Sequence, residues 1–161
     1  MLVIGIDPGL HGGIAFRKNE AMRVEPLPTF KISKGNGSRQ ILNLTDLAAM
    51  IDDQTKDESK VQVFLEYVSS SPQMGVTSAF NFGEGFGAIK GIIAAYFLPI
   101  TLVTPVVWKR ALKVSKNKDD SRNRASQLMP TYAHHWARHK DDGLAEAAMI
   151  ALYGQQYGVI K

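Results

Sequence analysis

Apolar residues arrive along this chain in short bursts, and their spacing divides it into strands and helices. "LVIGID" at positions 2–7 is mostly apolar and stops on an acid; "GGIAFRK" follows it across a Pro-Gly turn. With "AMRVEPL" these runs predict three strands in an antiparallel meander. "FKISKGNGSRQ" loses the pattern among glycines and basic residues and reads as a loop. Helical spacing sets in at "LTDLAAMIDDQ", where Leu44, Leu47, Ala48 and Ile51 share one side and Asn43 or Thr45 offers a cap. "KVQVFLEYV" predicts a central strand that ends at Glu66, and "VSSSPQMG" a loop after it.

A long helix is expected over "VTSAFNFGEGFGAIKGIIAAYF" despite its glycines. Ala79, Gly83, Gly87, Gly91 and Ala95 recur every fourth residue and leave one stripe almost bare of side chains. Each interior glycine costs roughly 1 kcal/mol relative to alanine. The stripe therefore implies close approach by the sheet, a partner helix or a ligand, with packing or dimerisation ahead of substrate contact. "ITLVTP" predicts the last strand, and "PVVWKRAL" a short helix with Pro105 at a permitted early position. A helix over "SRNRASQLM" stops at Pro130, and "KDDGLAEAAMIALYGQQ" forms the final one. This order suits an α/β fold with helices on both faces of a sheet. A length of 161 residues suits a single domain.

Composition adds further constraints. A hydrophobic content of 45% and a charged content of 21% are ordinary for a soluble domain. The longest apolar stretch, "GIIAAYFLPITLV", is broken by Pro99 and too short for a membrane span. The opening apolar run has no basic flank, so it is not read as a signal peptide. The absence of cysteine excludes disulfides and thiolate metal sites and fits a reducing compartment. Finally, the net charge is +4 and the pI about 9.3, a mild pointer to a polyanionic partner. The charge is concentrated. Lys109, Arg110, Lys113, Lys116, Lys118, Arg122 and Arg124 face only Asp119 and Asp120 between positions 109 and 124. Lys31, Lys34 and Arg39 add a second group on the glycine loop. Both segments read as contacts for nucleic-acid phosphates.

Three acids stand in unusual places. Asp7 ends the first strand, Glu66 ends a central one, and Asp142 lies near the start of the apolar final helix. Parallel neighbouring strands would bring Asp7 and Glu66 out side by side, where like charges raise each other's pKa unless a cation joins them. Oxygen ligands suit Mg²⁺ or Mn²⁺. His139, Asp142 and Glu146 stand at i, i+3 and i+7, on one helix face. A helix laid over the sheet edge would lower His139 and Asp142 onto the strand pair. That arrangement is a candidate two-metal site for phosphodiester cleavage. Each acid alone has an ordinary explanation in turns, solvated strand ends and the helix dipole.

Together, "IGIDPGLHGGIAF", "VFLEYV" and "HKDDGLAEAAMIAL" resemble the RuvC-type Holliday-junction resolvases of the ribonuclease H-like superfamily. The resemblance implies a mixed five-stranded sheet with helices on both faces over residues 1–161. It implies that Asp7, Glu66 and Asp142 are catalytic metal-binding carboxylates. The remaining family position, aspartate or histidine three residues before Asp142, is filled here by His139. A shift of register nominates Asp141 instead, and Glu146 has no counterpart; "DGLAEA" stands in place of the family's Asp-Ala-Leu-Ala run. Two Mg²⁺ ions per site, replaceable by Mn²⁺, a homodimer, branched DNA as partner and a bacterial cytoplasm, phage or host, are implied with it. So is cleavage of four-way junctions, with forks and flaps as further substrates, to 5′-phosphate and 3′-hydroxyl ends. Lys109 and Lys118 lie near the family's phosphate-contacting lysines. Where the family often places an aromatic residue after the strand-end glutamate, this loop offers Tyr67, Ser69 and Met74, with no phenylalanine before Phe80. A non-catalytic junction-binding protein of the same fold is the alternative reading.

Overall fold

The computed structural model describes residues 1–35, 37–69, 73–115 and 120–158. Its main sheet has five strands in the order β3-β2-β1-β6-β7. Strands β1 (Leu2–Asp7), β2 (Gly13–Lys18) and β3 (Ala21–Pro26) form the antiparallel meander that the sequence predicts. β6 (Val61–Glu66) adds parallel to β1, and β7 (Ile100–Val103) parallel to β6. The mixed five-stranded sheet with helices on both faces is thus the observed architecture.

Each face of the sheet has its own core, and strand parity assigns the residues. Leu2, Ile4 and Ile6 of β1, with Val63 and Leu65 of β6, pack against helices α1 (Leu44–Thr55) and α2 (Val76–Ala95) through Leu47, Ile51, Ile89 and Ile93. Val3 and Phe64 face the other way, onto α3 (Pro105–Ala111), α4 (Asp120–Leu128) and α5 (Asp142–Tyr157). Asn43 caps α1, its side-chain oxygen accepting from the Asp46 amide at 3.2 Å. Pro105 opens α3, as expected.

α5 lies almost in contact with the sheet backbone. A Cβ on Gly5 would overlap the Ala151 nitrogen and the Ala147 carbonyl; one on Gly143 would overlap the His11 carbonyl and Gly12. A parallel bridge joins Gly12 to Gly143. The helix start is therefore pinned to the turn that follows Asp7.

Two expectations are corrected. The segment read as a loop is a hairpin, β4 (Thr29–Lys34) with β5 (Gly37–Leu42), standing as a separate two-stranded sheet. Phe30, Ile32 and Ile41 keep strand alternation within it, and the glycines gather at the turn, where Gly35 takes φ +57°. The α-helical part of the last helix starts at Asp142, and the residues before it form two short 3₁₀ turns, Pro130–Trp136 and His139–Asp141. Buried Trp136 anchors the first, its indole N–H donating to the Ser126 hydroxyl at 3.0 Å.

Candidate active site

The period of two along a strand decides which acids meet. β1 and β6 pair in parallel with Ile6 across from Leu65, so the next step sets Asp7 beside Glu66, both on the α5 face. The site lies at the carboxyl ends of parallel strands, a common position for α/β ligand sites. Glu66 is buried at 6% exposure, and its Oε1 accepts a hydrogen bond from the Trp108 indole at 2.8 Å. From α5, Glu146 Oε1 accepts from Lys109 Nζ at 2.8 Å and from the Ser121 hydroxyl at 2.9 Å. Neighbouring residues of α3, Trp108 and Lys109, thus hold one carboxylate each.

The electrostatics name the third acid of the group. Burial pushes the Asp7 carboxyl up to about 7, and the charges of Glu66 and then Glu146 push the same way. The Gly9 amide and Lys109 oppose them only in part. Glu66 is also raised, by burial first; the Trp108 hydrogen bond pulls it down, Glu146 raises it and Lys109 lowers it. Glu146, to which the resemblance gave no role, is therefore the α5 carboxylate that acts on Asp7 and Glu66.

The other predicted residues lie around this group. Asp142, one turn before Glu146, has its Oδ1 2.5 Å from Arg122 Nε, and its Oδ2 is 3.9 Å from His139 Nδ1. The His139 side chain is 72% exposed, at the rim. Asp141 is gripped by Arg138 through two hydrogen bonds of 2.9 and 3.0 Å, which hold its carboxyl below the usual range. Among the predicted phosphate contacts, Lys109 and Arg122 are engaged with α5 acids, while Arg110 and Lys113 lie exposed at the end of α3. Arg39 pairs with Glu84 at 3.3 Å, and Lys34 ends β4. Lys116 and Lys118 fall outside the described residues.

Among the described residues, no three acidic or histidine side chains converge on a single point. Glu66 and Glu146 are instead turned onto protein donors. Asp7, Glu66 and Glu146 nevertheless fit a hard divalent cation: all three offer carboxylate oxygens, and Asp7 and Glu66 carry charge that the fold disfavours.

No family model and no curated protein sequence matches the chain. Solved structures do. The RuvC of T. thermophilus in complex with a Holliday junction substrate superposes with a TM-score of 0.60 at 16% identity, covering 98% of this chain and 97% of that one. The chain has the RuvC fold. A further Thermus thermophilus RuvC structure gives 0.56 at 18% identity, with 96% of each chain covered. The likeness suggested by three short motifs thus extends over the whole RuvC fold. No described helix is long and apolar enough to cross a membrane.

Proposed function

We propose that this chain is a metal-dependent, structure-selective DNA endonuclease of one domain that resolves Holliday junctions and also cuts forks and flaps. The observation that carries the reading is the pairing of Asp7 with Glu66 at the ends of parallel strands, where burial and the charges of Glu66 and Glu146 raise Asp7 to about 7, on a fold shared with RuvC. These three side chains would hold Mg²⁺, or Mn²⁺ in its place, with Asp142 and His139 completing a two-ion site from the previous turn of α5. Bound there, the ions supply Lewis-acid activation of water and charge stabilisation at the leaving 3′-oxygen, leaving 5′-phosphate and 3′-hydroxyl ends.

The protein's own groups orient that site. Trp108 fixes Glu66, Lys109 and Ser121 fix Glu146, and Arg122 fixes Asp142. Arg110 and Lys113, exposed at the end of α3, take backbone phosphates, and Lys34, Arg39, Lys116 and Lys118 are the further phosphate contacts that the sequence offers. The active form is a homodimer joined through α2, each subunit cutting one strand of a four-way junction in a bacterial cytoplasm.

The test is nicking of a synthetic four-way junction, a fork and a linear duplex, with Mg²⁺ or with chelator. The native protein cuts the branched substrates only with metal. Asp7→Asn lowers the rate by at least about a thousandfold while junction binding persists. Metal-independent cleavage, or full activity in Asp7→Asn, overturns the assignment. Binding without cleavage by the native chain leaves the non-catalytic reading.

A further inference from the structure

The β4–β5 hairpin does more than extend the chain. It stands across from α2 and encloses a groove of about 650 Å³, within the usual range for small-ligand sites. Its lining includes the ion pair of Arg39 with Glu84, which ties hairpin to helix at 3.3 Å. Pro8, the residue after Asp7, is also part of the lining. Three large apolar side chains around the groove, Leu10, Ile32 and Leu44, are 36–43% exposed, which is unusual for one small area. Phe82 supplies an aromatic wall.

Two amides lie in this apolar setting. Gln40 is fixed by its own amide, which donates to the Thr29 hydroxyl at 2.7 Å. Asn81 is half-buried in the lining, and its side chain has no hydrogen-bond partner among the described residues. Its polar atoms stay open to solvent, so they are free to hydrogen-bond a ligand in the groove. The segment from 29 to 42 carries lysines and an arginine and no acid, so an anionic strand can approach it.

We propose that this groove is a nucleobase pocket. It receives one unstacked base of the strand whose phosphodiester lies at Asp7, Glu66 and Glu146, with Phe82 and the aliphatic residues against the ring and Asn81 and Gln40 on its hydrogen-bonding edge. The inference rests on the nuclease reading for the source of the base. Asparagine and glutamine amides pair naturally with base edges, and a good pair discriminates by about tenfold or more. A strand held by backbone contacts alone would show no base preference beside the cut; the pocket supplies one.

Two measurements test it. In the first, NMR shifts of the Asn81 and Gln40 side-chain amides are followed while each deoxynucleoside 5′-monophosphate is added, with deoxyribose 5-phosphate as the base-free arm. At least one nucleotide moves both signals and the sugar phosphate moves neither. Ala88→Phe, which fills the groove wall, removes the response at both amides. No response to any nucleotide, or an equal response to the sugar phosphate, overturns the pocket. In the second, cleavage rates are compared on four-way junctions that differ only in the base next to the nick. The native enzyme spreads these rates by about tenfold or more, and Asn81→Leu compresses the spread to about threefold or less. An unchanged spread in Asn81→Leu and Ala88→Phe means that the groove takes free nucleotides rather than a base of the substrate, and sinks the proposal. A chain that cuts no junction refutes the nuclease reading, while the titration still decides whether a base enters the groove.

Discussion

Asp7 sets the electrostatics of the site, and its displaced pKa has a definite consequence for stability. The carboxyl titrates near 3.8 when unperturbed and at about 7 in the folded chain. Below about pH 4 it is protonated in both states and costs nothing. As pH rises, the unfolded chain releases this proton first, so stability falls until the folded group ionises, and above 7 the full cost remains. In chelator, Asp7→Asn should therefore melt higher than the native protein, by roughly 5 °C or more at about pH 8, with the gain vanishing near about pH 4. Thermal melts at the two pH values check this; a gain that is independent of pH would locate the effect in packing. Mg²⁺ should raise the native melting temperature by preferential binding to the folded state. Glu146→Gln should abolish most of that rise, and Asp142→Asn less of it; the reverse order would restore Asp142 as the principal α5 ligand. The strand acids were legible because a strand's period of two fixes their face once the pairing is known. The sequence puts Asp142 forward as the helix acid and does not reveal that the Glu146 charge reaches Asp7 and Glu66. Asp142 and Glu146 lie one turn apart on the same face, and choosing between them requires the seat of α5. One signal was available: the family's acid-then-alanine step occurs at Glu146–Ala147, whereas Asp142 is followed by a glycine.

That seat is a property of the whole element. α5 runs over β1 with no side chain between their backbones at Gly5, and its first turn is fixed where Gly143 meets His11 and Gly12. Gly143→Ala must push the helix start away from the Asp7 turn, at a cost of about 1–3 kcal/mol from overpacking against backbone. Urea denaturation measures that loss, and an alanine tolerated there without cost would show that the helix start is free to shift. The hairpin is the opposite case. Its lysines, serines and glycines gave "FKISKGNGSRQ" the composition of a loop, and only Phe30, Ile32 and Ile41 retain alternation. With one narrow face to cover, a two-stranded sheet requires few apolar residues, so composition misleads where the backbone ladder supplies the order. α1 was legible because Leu47 and Ile51 recur on one buried face, and β6 because its apolar run Val63–Leu65 is wholly buried.

At the scale of the molecule the open question is what faces α2. Gly83, Gly87 and Gly91 recur at four-residue spacing, and a Cβ on any of them would point into open space. The sheet is therefore not what the stripe accommodates, since α2 meets it through Ile89 and Ile93 instead. On the same helix Val76 is 88% and Phe80 70% exposed. A lone chain gains nothing from such a face: each glycine lowers helix stability by about 1 kcal/mol relative to alanine, and the apolar side chains remain in water. A second copy of α2 laid along the stripe would account for both features, because small residues let helix backbones approach closely. The two cases respond to Gly87→Arg with opposite signs. In a monomer the arginine meets only solvent, and the folded chain becomes more stable by up to about 1 kcal/mol, because arginine is a better helix former than glycine. In a dimer it drives bulk and charge into the interface, so the pair separates while each chain stays folded. Light scattering on the eluting protein at micromolar concentration should find a native dimer and a Gly87→Arg monomer with an unchanged circular dichroism spectrum. The variant should then nick single strands of a four-way junction without cutting the opposed strand in the same encounter. A native protein that elutes as a monomer would leave the glycine stripe without its partner and the paired cuts without a means of coordination.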